Sequence, residues 1–253
     1  MKLLNSLLTF ATLVTNSQST ISGCDNGISC STITLDDLTF DCRFAGDPIT
    51  SSNNNVMLLH GFPEWSSMYM DFMRKLAENG YHSVACNLRG YSPSASPDGE
   101  SNYNYNTLAS DVDRLASSAF NNNPYHLIGH DHGGILGWIV AGRNVAANIL
   151  SYASLSSPHP DAFSDGLYGD AADIKQVEAS QYFTMFTLED SATIENKFWW
   201  YTTGLTAGTK YGEKFDSPED FQKSLWWYNG AKDAGVMAMP PIMSTTSLLK
   251  DGA

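Results

Sequence analysis

A chain of 253 residues that is 42% hydrophobic and 12% aromatic can bury a substantial core, and with only 16% charged residues it folds rather than staying disordered. Its formal net charge of −13 argues against nucleic acid or an anionic membrane surface as a partner. It carries no internal repeat and no low-complexity tract beyond short Ser/Asn runs.

The chain starts with one cation, Lys2, followed by an apolar stretch from Leu3 to Val14. That pattern predicts a secretory signal over 1–19, too short to span a membrane. In an oxidising compartment Cys24, Cys30, Cys42 and Cys86 allow three pairings. A Cys24–Cys30 loop is the first to test, while Cys86, ending a core strand, is expected to be a free buried thiol. No Cys/His spacing suggests zinc, and neither metal nor cofactor is expected.

Residues 33–45 alternate around Asp36-Asp37 and predict a hairpin. After the polar loop from Pro48 to Asn55, the run Val56-Met57-Leu58-Leu59 reads as a strand buried on both faces. The turn His60-Gly61-Phe62-Pro63-Glu64-Trp65 leaves its end. In such a turn a backbone N–H, that of Phe62, is placed to form half of an oxyanion hole, and Pro63 stiffens it without a competing donor. A helix is predicted from Trp65 to Asn79 with Gly80 as its stop, then a strand over Tyr81–Cys86 and a loop Asn87-Leu88-Arg89-Gly90-Tyr91-Ser92-Pro93. The next helix is predicted over Tyr103–Phe120.

The stretch Tyr125-His126-Leu127-Ile128-Gly129-His130-Asp131-His132-Gly133-Gly134 organises the rest. It reads as a short strand, a glycine-bounded turn and the start of a helix at Ile135, the geometry of a nucleophile elbow. Asp131 stands where an esterase has serine. A carboxylate is already ionised at neutral pH and can attack carbon without a base, leaving an enzyme ester that water must cleave. The N–H of His132 would be the second oxyanion donor; His130 and His132 are expected to point their side chains away from the line of attack. The same residues also suit a plain glycine-rich turn with an N-capping aspartate. Ile149–Leu155 is the next strand, with Ser156-Ser157-Pro158-His159-Pro160 after it. Strands alternating with helices predict an α/β fold with a mostly parallel, doubly wound sheet whose carboxyl edge carries both His60 and Asp131.

His60-Gly61-Phe62-Pro63-Glu64, Arg89-Gly90-Tyr91-Ser92-Pro93, Gly129-His130-Asp131-His132-Gly133-Gly134 and Ser157-Pro158-His159-Pro160, in this order, resemble the epoxide hydrolase branch of the α/β-hydrolase fold. The likeness runs from about Thr32 to Pro241. It implies a core over 20–160, a helical cap over 161–240 and a return to the core at 241–253. It implies hydrolysis of a small apolar epoxide by water, with Asp131 as nucleophile and Phe62 and His132 as oxyanion donors, supported by His60, Gly61 and Pro63. Two cap tyrosines assist ring opening in that family, and Gln181-Tyr182-Phe183-Thr184-Met185-Phe186 and Leu225-Trp226-Trp227-Tyr228 resemble their stretches, which nominates Tyr182 and Tyr228. The family's base histidine and its acid partner lie beyond the cap, and none of the six histidines here does. Of these, His159 is the remaining loop histidine near the site. The expectation is a chain that lacks the last core strands, forms the ester without turning over, and is poorly ordered around Ser244–Ala253. Haloalkane and haloacetate dehalogenases share the aspartate nucleophile; the tryptophan or arginines they place after it are here His132 and Ile135, which favours epoxide. A catalytically incomplete fragment is the remaining alternative.

Overall fold

The computed structural model describes residues 21, 23–48, 53–143, 148–168, 172–187, 191–205 and 213–233. The signal segment, the end of the cap beyond 233 and the expected return to the core at 241–253 lie outside the described residues. Among the described residues no helix is long and apolar enough to cross a membrane.

Six strands form one sheet in the order β1-β2-β4-β3-β5-β6. β1 (Ser29–Leu35) and β2 (Leu38–Ala45) are the predicted hairpin, with Asp36 at φ 54° in its turn. β2 runs antiparallel to β4 (His82–Cys86); β3 (Asn55–Leu59), β4, β5 (Tyr125–His130) and β6 (Ile149–Leu155) are mutually parallel. Every residue of β3 and β4 is buried, as the apolar run Val56–Leu59 of β3 requires in the middle of a covered sheet, and in β4 the polar His82 and Ser83 are buried as well. β6 lies at the end of the described sheet and exposes Leu150 and Leu155.

The chain leaves β3 through α1 (Met70–Glu78) toward β4, returns past β3 through α2 (Tyr105–Phe120) to β5, and continues through α3 (His132–Gly142) to β6. α1 and the turn that precedes it cover one face, where Tyr69 and Met73 join Val56, Leu58 and Ala85. α2 and α3 share a core with the other face, where Leu108, Val112, Leu115 and Leu136 join Met57, Leu59, Val84 and Leu127. The route therefore reverses direction between β3 and β5, and their carboxyl ends frame the crevice in which such sheets bind ligands.

Two helix starts differ from the sequence reading. The stretch after Trp65 begins as a 3-10 turn, Ser66–Tyr69, whose first residue is held by Asn87: the Ser66 N–H and hydroxyl both donate to its Oδ1. α2 begins at Tyr105, not Tyr103, because Asn104 takes the capping position and its side chain accepts from the Thr107 N–H at 2.9 Å. The cysteine expectation is half corrected. Cys24 and Cys30 are bonded, but Cys86 is not free: it is disulfide-bonded to Cys42. Those two residues sit directly opposite each other in the β2–β4 ladder, which brings their Cβ atoms within bonding reach.

After β6 the chain becomes helical: α4 (Pro160–Tyr168), α5 (Ile174–Ala179), α6 (Tyr182–Phe186), α7 (Ser191–Trp200) with a π turn at Tyr201–Leu205, and α8 (Pro218–Asp233). α8 is bound to the core: the Trp227 indole N–H donates to the Arg89 carbonyl at 2.9 Å, and Gly230 lies against the Tyr103 carbonyl so closely that no side chain fits.

Candidate active site

Asp131 joins β5 to α3 at φ 54° and ψ −124°, a conformation that costs a non-glycine residue about 1–3 kcal/mol. The surroundings fix it there. Its N–H donates to the Leu155 carbonyl at 3.2 Å, while its own carbonyl accepts from the Ser157 hydroxyl at 2.6 Å and from the N–H of Gly134 at 2.8 Å. The turn is also narrow: a methyl group on Gly133 would overlap the Leu59 and His60 carbonyls.

Asp131 occupies the N-cap position of α3, but its side chain makes no capping bond. Its Oδ1 instead accepts the Phe62 N–H at 3.0 Å. The alternative of an ordinary capping aspartate therefore fails. One carboxylate oxygen is held by a backbone donor, and the His132 N–H, at the first position of α3, has no intrahelical acceptor. These are the two amides named from the sequence. Gly61 lets the turn approach, since a methyl there would meet the Asp131 side chain and the His130 carbonyl.

His60 is fully buried and braces this turn. Its Nδ1 donates to the Gly61 carbonyl at 3.0 Å and its Nε2 accepts from the Leu88 N–H at 3.0 Å, locking the β3 turn to the loop after β4. Burial holds its pKa down to about 4, so the ring is neutral. Pro63 follows a cis peptide bond from Phe62.

Above Asp131 lies an aromatic layer from the helical segment. The Phe62 ring packs on Phe186 at 5.1 Å, Tyr228 at 5.5 Å and Phe221 at 5.9 Å between centroids. Tyr228 is buried, and burial together with the Asp131 charge keeps its hydroxyl protonated well above the ordinary tyrosine range. Tyr182, on α6, is 43% exposed and stacks on Phe183. Partial burial and the same carboxylate push its pKa up to about 12. Both nominated tyrosines thus lie within electrostatic range of Asp131 and of each other.

The histidines need one correction. The His132 side chain does not point away from the site. Its ring is buried in the aromatic layer, 4.2 Å from Tyr228 and 6.0 Å from Trp227 between centroids. The reason is the tight helix start, which turns the first side chain of α3 toward α2 and α8. Sequence reasoning missed its partner Tyr105, a fully buried residue whose hydroxyl meets His132 Nδ1 at 3.1 Å. Nothing in the sequence singles Tyr105 out beyond its place near a helix start. His159 packs on Trp138 at 4.9 Å, with Asp161 3.8 Å from its Nδ1. Also missed was Arg43 on β2, fully buried, which pairs with Glu213 at 3.0 Å and donates to Ser66, tying the sheet to the segment before α8.

A mostly parallel sheet with a strained strand-to-helix elbow at its carboxyl edge and a backbone donor from the neighbouring turn defines the α/β-hydrolase class. The family model described as alpha/beta hydrolase fold matches residues 54–216, and the chain belongs to that family.

Within it, the chain is 27% identical over 157 residues to human epoxide hydrolase 4, covering 59% of this chain and 42% of that protein. It is 32% identical over 140 residues to epoxide hydrolase 3 of Xenopus tropicalis, covering 54% and 35%. It is 35% identical over 108 residues to a fluoroacetate dehalogenase from a Burkholderia species, covering 42% and 33%. The chain thus spans less than half the length of these curated relatives. Among solved structures, an epoxide hydrolase from metagenomes of hot environments superposes with a TM-score of 0.67 at 20% identity, covering 85% of this chain and 73% of that one. An epoxide hydrolase from Vigna radiata gives 0.59 at 23% identity, covering 83% and 75%.

Proposed function

We propose that this chain carries the nucleophile and lid of an epoxide hydrolase acting through an aspartyl ester. The observation that carries the reading is the Phe62 N–H on Asp131 Oδ1, because it makes the two carboxylate oxygens unequal. Oδ2 is left to attack an oxirane carbon. As the new C–O bond forms, the ring C–O bond breaks and its electron pair goes to the oxirane oxygen. That oxygen takes a proton from Tyr182 or Tyr228, which the raised pKa values keep protonated at neutral pH. The resulting ester has Oδ1 as its carbonyl oxygen. When water adds to the ester carbon, negative charge develops on that oxygen, which the Phe62 amide already contacts and for which the His132 amide is the second proposed donor. Loss of the diol alcohol then restores the carboxylate.

Hydrolysis of the ester requires a base for the water. His60 is committed to Gly61 and Leu88, and His159 packs on Trp138. Neither is free to serve as that base. The second reading, haloacid dehalogenation, is favoured by the Burkholderia relative. It asks for a cation at the substrate carboxylate, whereas the buried Arg43 and Arg89 are each already bound to an acid, Glu213 and Asp111. Secretory entry belongs to the same proposal and is supported by the two disulfides.

The test is intact-mass and peptide mapping after incubation with a terminal epoxide, with diol assayed in parallel. An epoxide-sized adduct on Asp131, absent in Asp131→Asn, is expected. Fluoride release from fluoroacetate with no epoxide consumed would replace this reading by the second.

A further inference from the structure

The proposed reaction uses the backbone of His132 and leaves its side chain without a task. That side chain is unusual for its place. It is 2% exposed, stands in a layer made of Tyr105, Trp227 and Tyr228, and its Nε2 is buried with no hydrogen-bond partner among the described residues. A buried polar atom without a partner costs about 1–3 kcal/mol, so its retention beside the nucleophile calls for an occupant that satisfies it.

The other nitrogen indicates the kind of occupant. Nδ1 faces the Tyr105 hydroxyl at 3.1 Å, and burial beside Asp131 keeps that tyrosine protonated. Donating to Nδ1 satisfies the Tyr105 hydroxyl hydrogen, whereas accepting from it would leave that hydrogen stranded; we therefore assign the imidazole hydrogen to Nε2, which makes the free nitrogen a neutral donor. A neutral donor seeks an acceptor oxygen. A carboxylate is a poor fit, since the Asp131 charge is already present and the ring brings no compensating cation.

We propose that His132 Nε2 is a specificity-determining donor, and that the substrate is a small epoxide bearing a hydroxyl, ether or carbonyl oxygen on the carbon next to the oxirane rather than a purely apolar one. This rests on the Asp131 reading and narrows its substrate class. An apolar epoxide fills the aromatic layer but leaves Nε2 buried and unpaired; an oxygenated one satisfies it. Sites built around a polar group discriminate strongly against analogues that lack the partner.

The experiment compares glycidol with 1,2-epoxybutane, two terminal epoxides of similar size, and measures epoxide consumed as Asp131 ester plus diol. In the unaltered chain glycidol is consumed at least about tenfold faster, the equivalent of one satisfied buried donor. In His132→Phe the ratio falls to near one, whatever happens to the absolute rates; in His132→Gln, which keeps an N–H donor, part of the preference survives. A merely structural role for His132 would slow both substrates alike and leave the ratio intact, which would overturn the proposal. So would a ratio near one in the unaltered chain. Failure of both epoxides to modify Asp131 would instead remove the parent reading, and with it this one.

Discussion

The Phe62 N–H and Asp131 Oδ1 lie 69 residues apart in sequence and 3.0 Å apart in space. Because β3 and β5 are adjacent parallel strands with Leu59 opposite Gly129, the turns that follow them meet at one point. The sheet thereby brings a donor and an acceptor together that neither turn holds alone.

Gly61→Ala tests that meeting. The added methyl group collides with Asp131 and with the His130 carbonyl, so the Phe62 amide must move off Oδ1. Loss of one such donor lowers rates by about a hundredfold or more. The expected outcome is that drop in hydrolysis of the Asp131 ester, followed as decay of the adduct to diol, with an unchanged far-UV circular dichroism spectrum. A full rate would mean that the amide contributes nothing.

Backbone strain at Asp131 predicts an inverted stability order. Alanine normally stabilises a chain relative to glycine by up to about 1 kcal/mol, through the unfolded state. At φ 54° and ψ −124° alanine keeps the strain and glycine escapes it. Asp131→Gly is expected to be more stable than Asp131→Ala by about 1 kcal/mol, measured by urea unfolding.

Acid sensitivity follows from His60. Its folded pKa of about 4 lies below the ordinary 6.5, so the unfolded chain binds more protons between those values. Stability is therefore full above pH 6.5 and falls as the pH drops toward 4, by at most roughly 3 kcal/mol from this group. Urea midpoints across that range should show the slope, and His60→Gln should flatten it.

The two disulfides differ in the loops they close. Cys42–Cys86 spans 44 residues and Cys24–Cys30 spans 6. Chain-entropy reasoning assigns them roughly 4 and roughly 2 kcal/mol. Replacing both members of each pair by serine, and comparing thermal midpoints under equal conditions, should give a loss nearly twice as large for the longer link.

Much of what is encoded locally is legible in the sequence, although the Asn104 cap that starts α2 is not part of that reading. Val56 to Leu59 announced a covered strand, Gly133 and Gly134 the narrow turn, and the paired turns at Phe62 and Asp131 the crevice. Residues whose partners lie far along the chain were not legible. Cys86 read as a free thiol because its neighbour depends on the β2–β4 ladder, which no local pattern records. Arg43 meets Glu213 across 170 positions, and Tyr105 acquires meaning only once α2 lies beside the first turn of α3. His132 was misdirected for the same reason: a strand-to-helix pattern gives the path of the backbone, while the direction of the first helical side chain depends on what packs against it.

The anchoring of α8 also bears on how molecules come and go. With Trp227 tethered to Arg89 and Gly230 wedged on Tyr103, this helix is masonry rather than a shutter. Arg89 is itself pinned by Asp111, so the brace continues into the floor of the molecule. By contrast, α6 carries Tyr182, which stands 43% exposed. Changes in α8 would then reshape the chamber, whereas changes around α6 would set the pace of entry and exit.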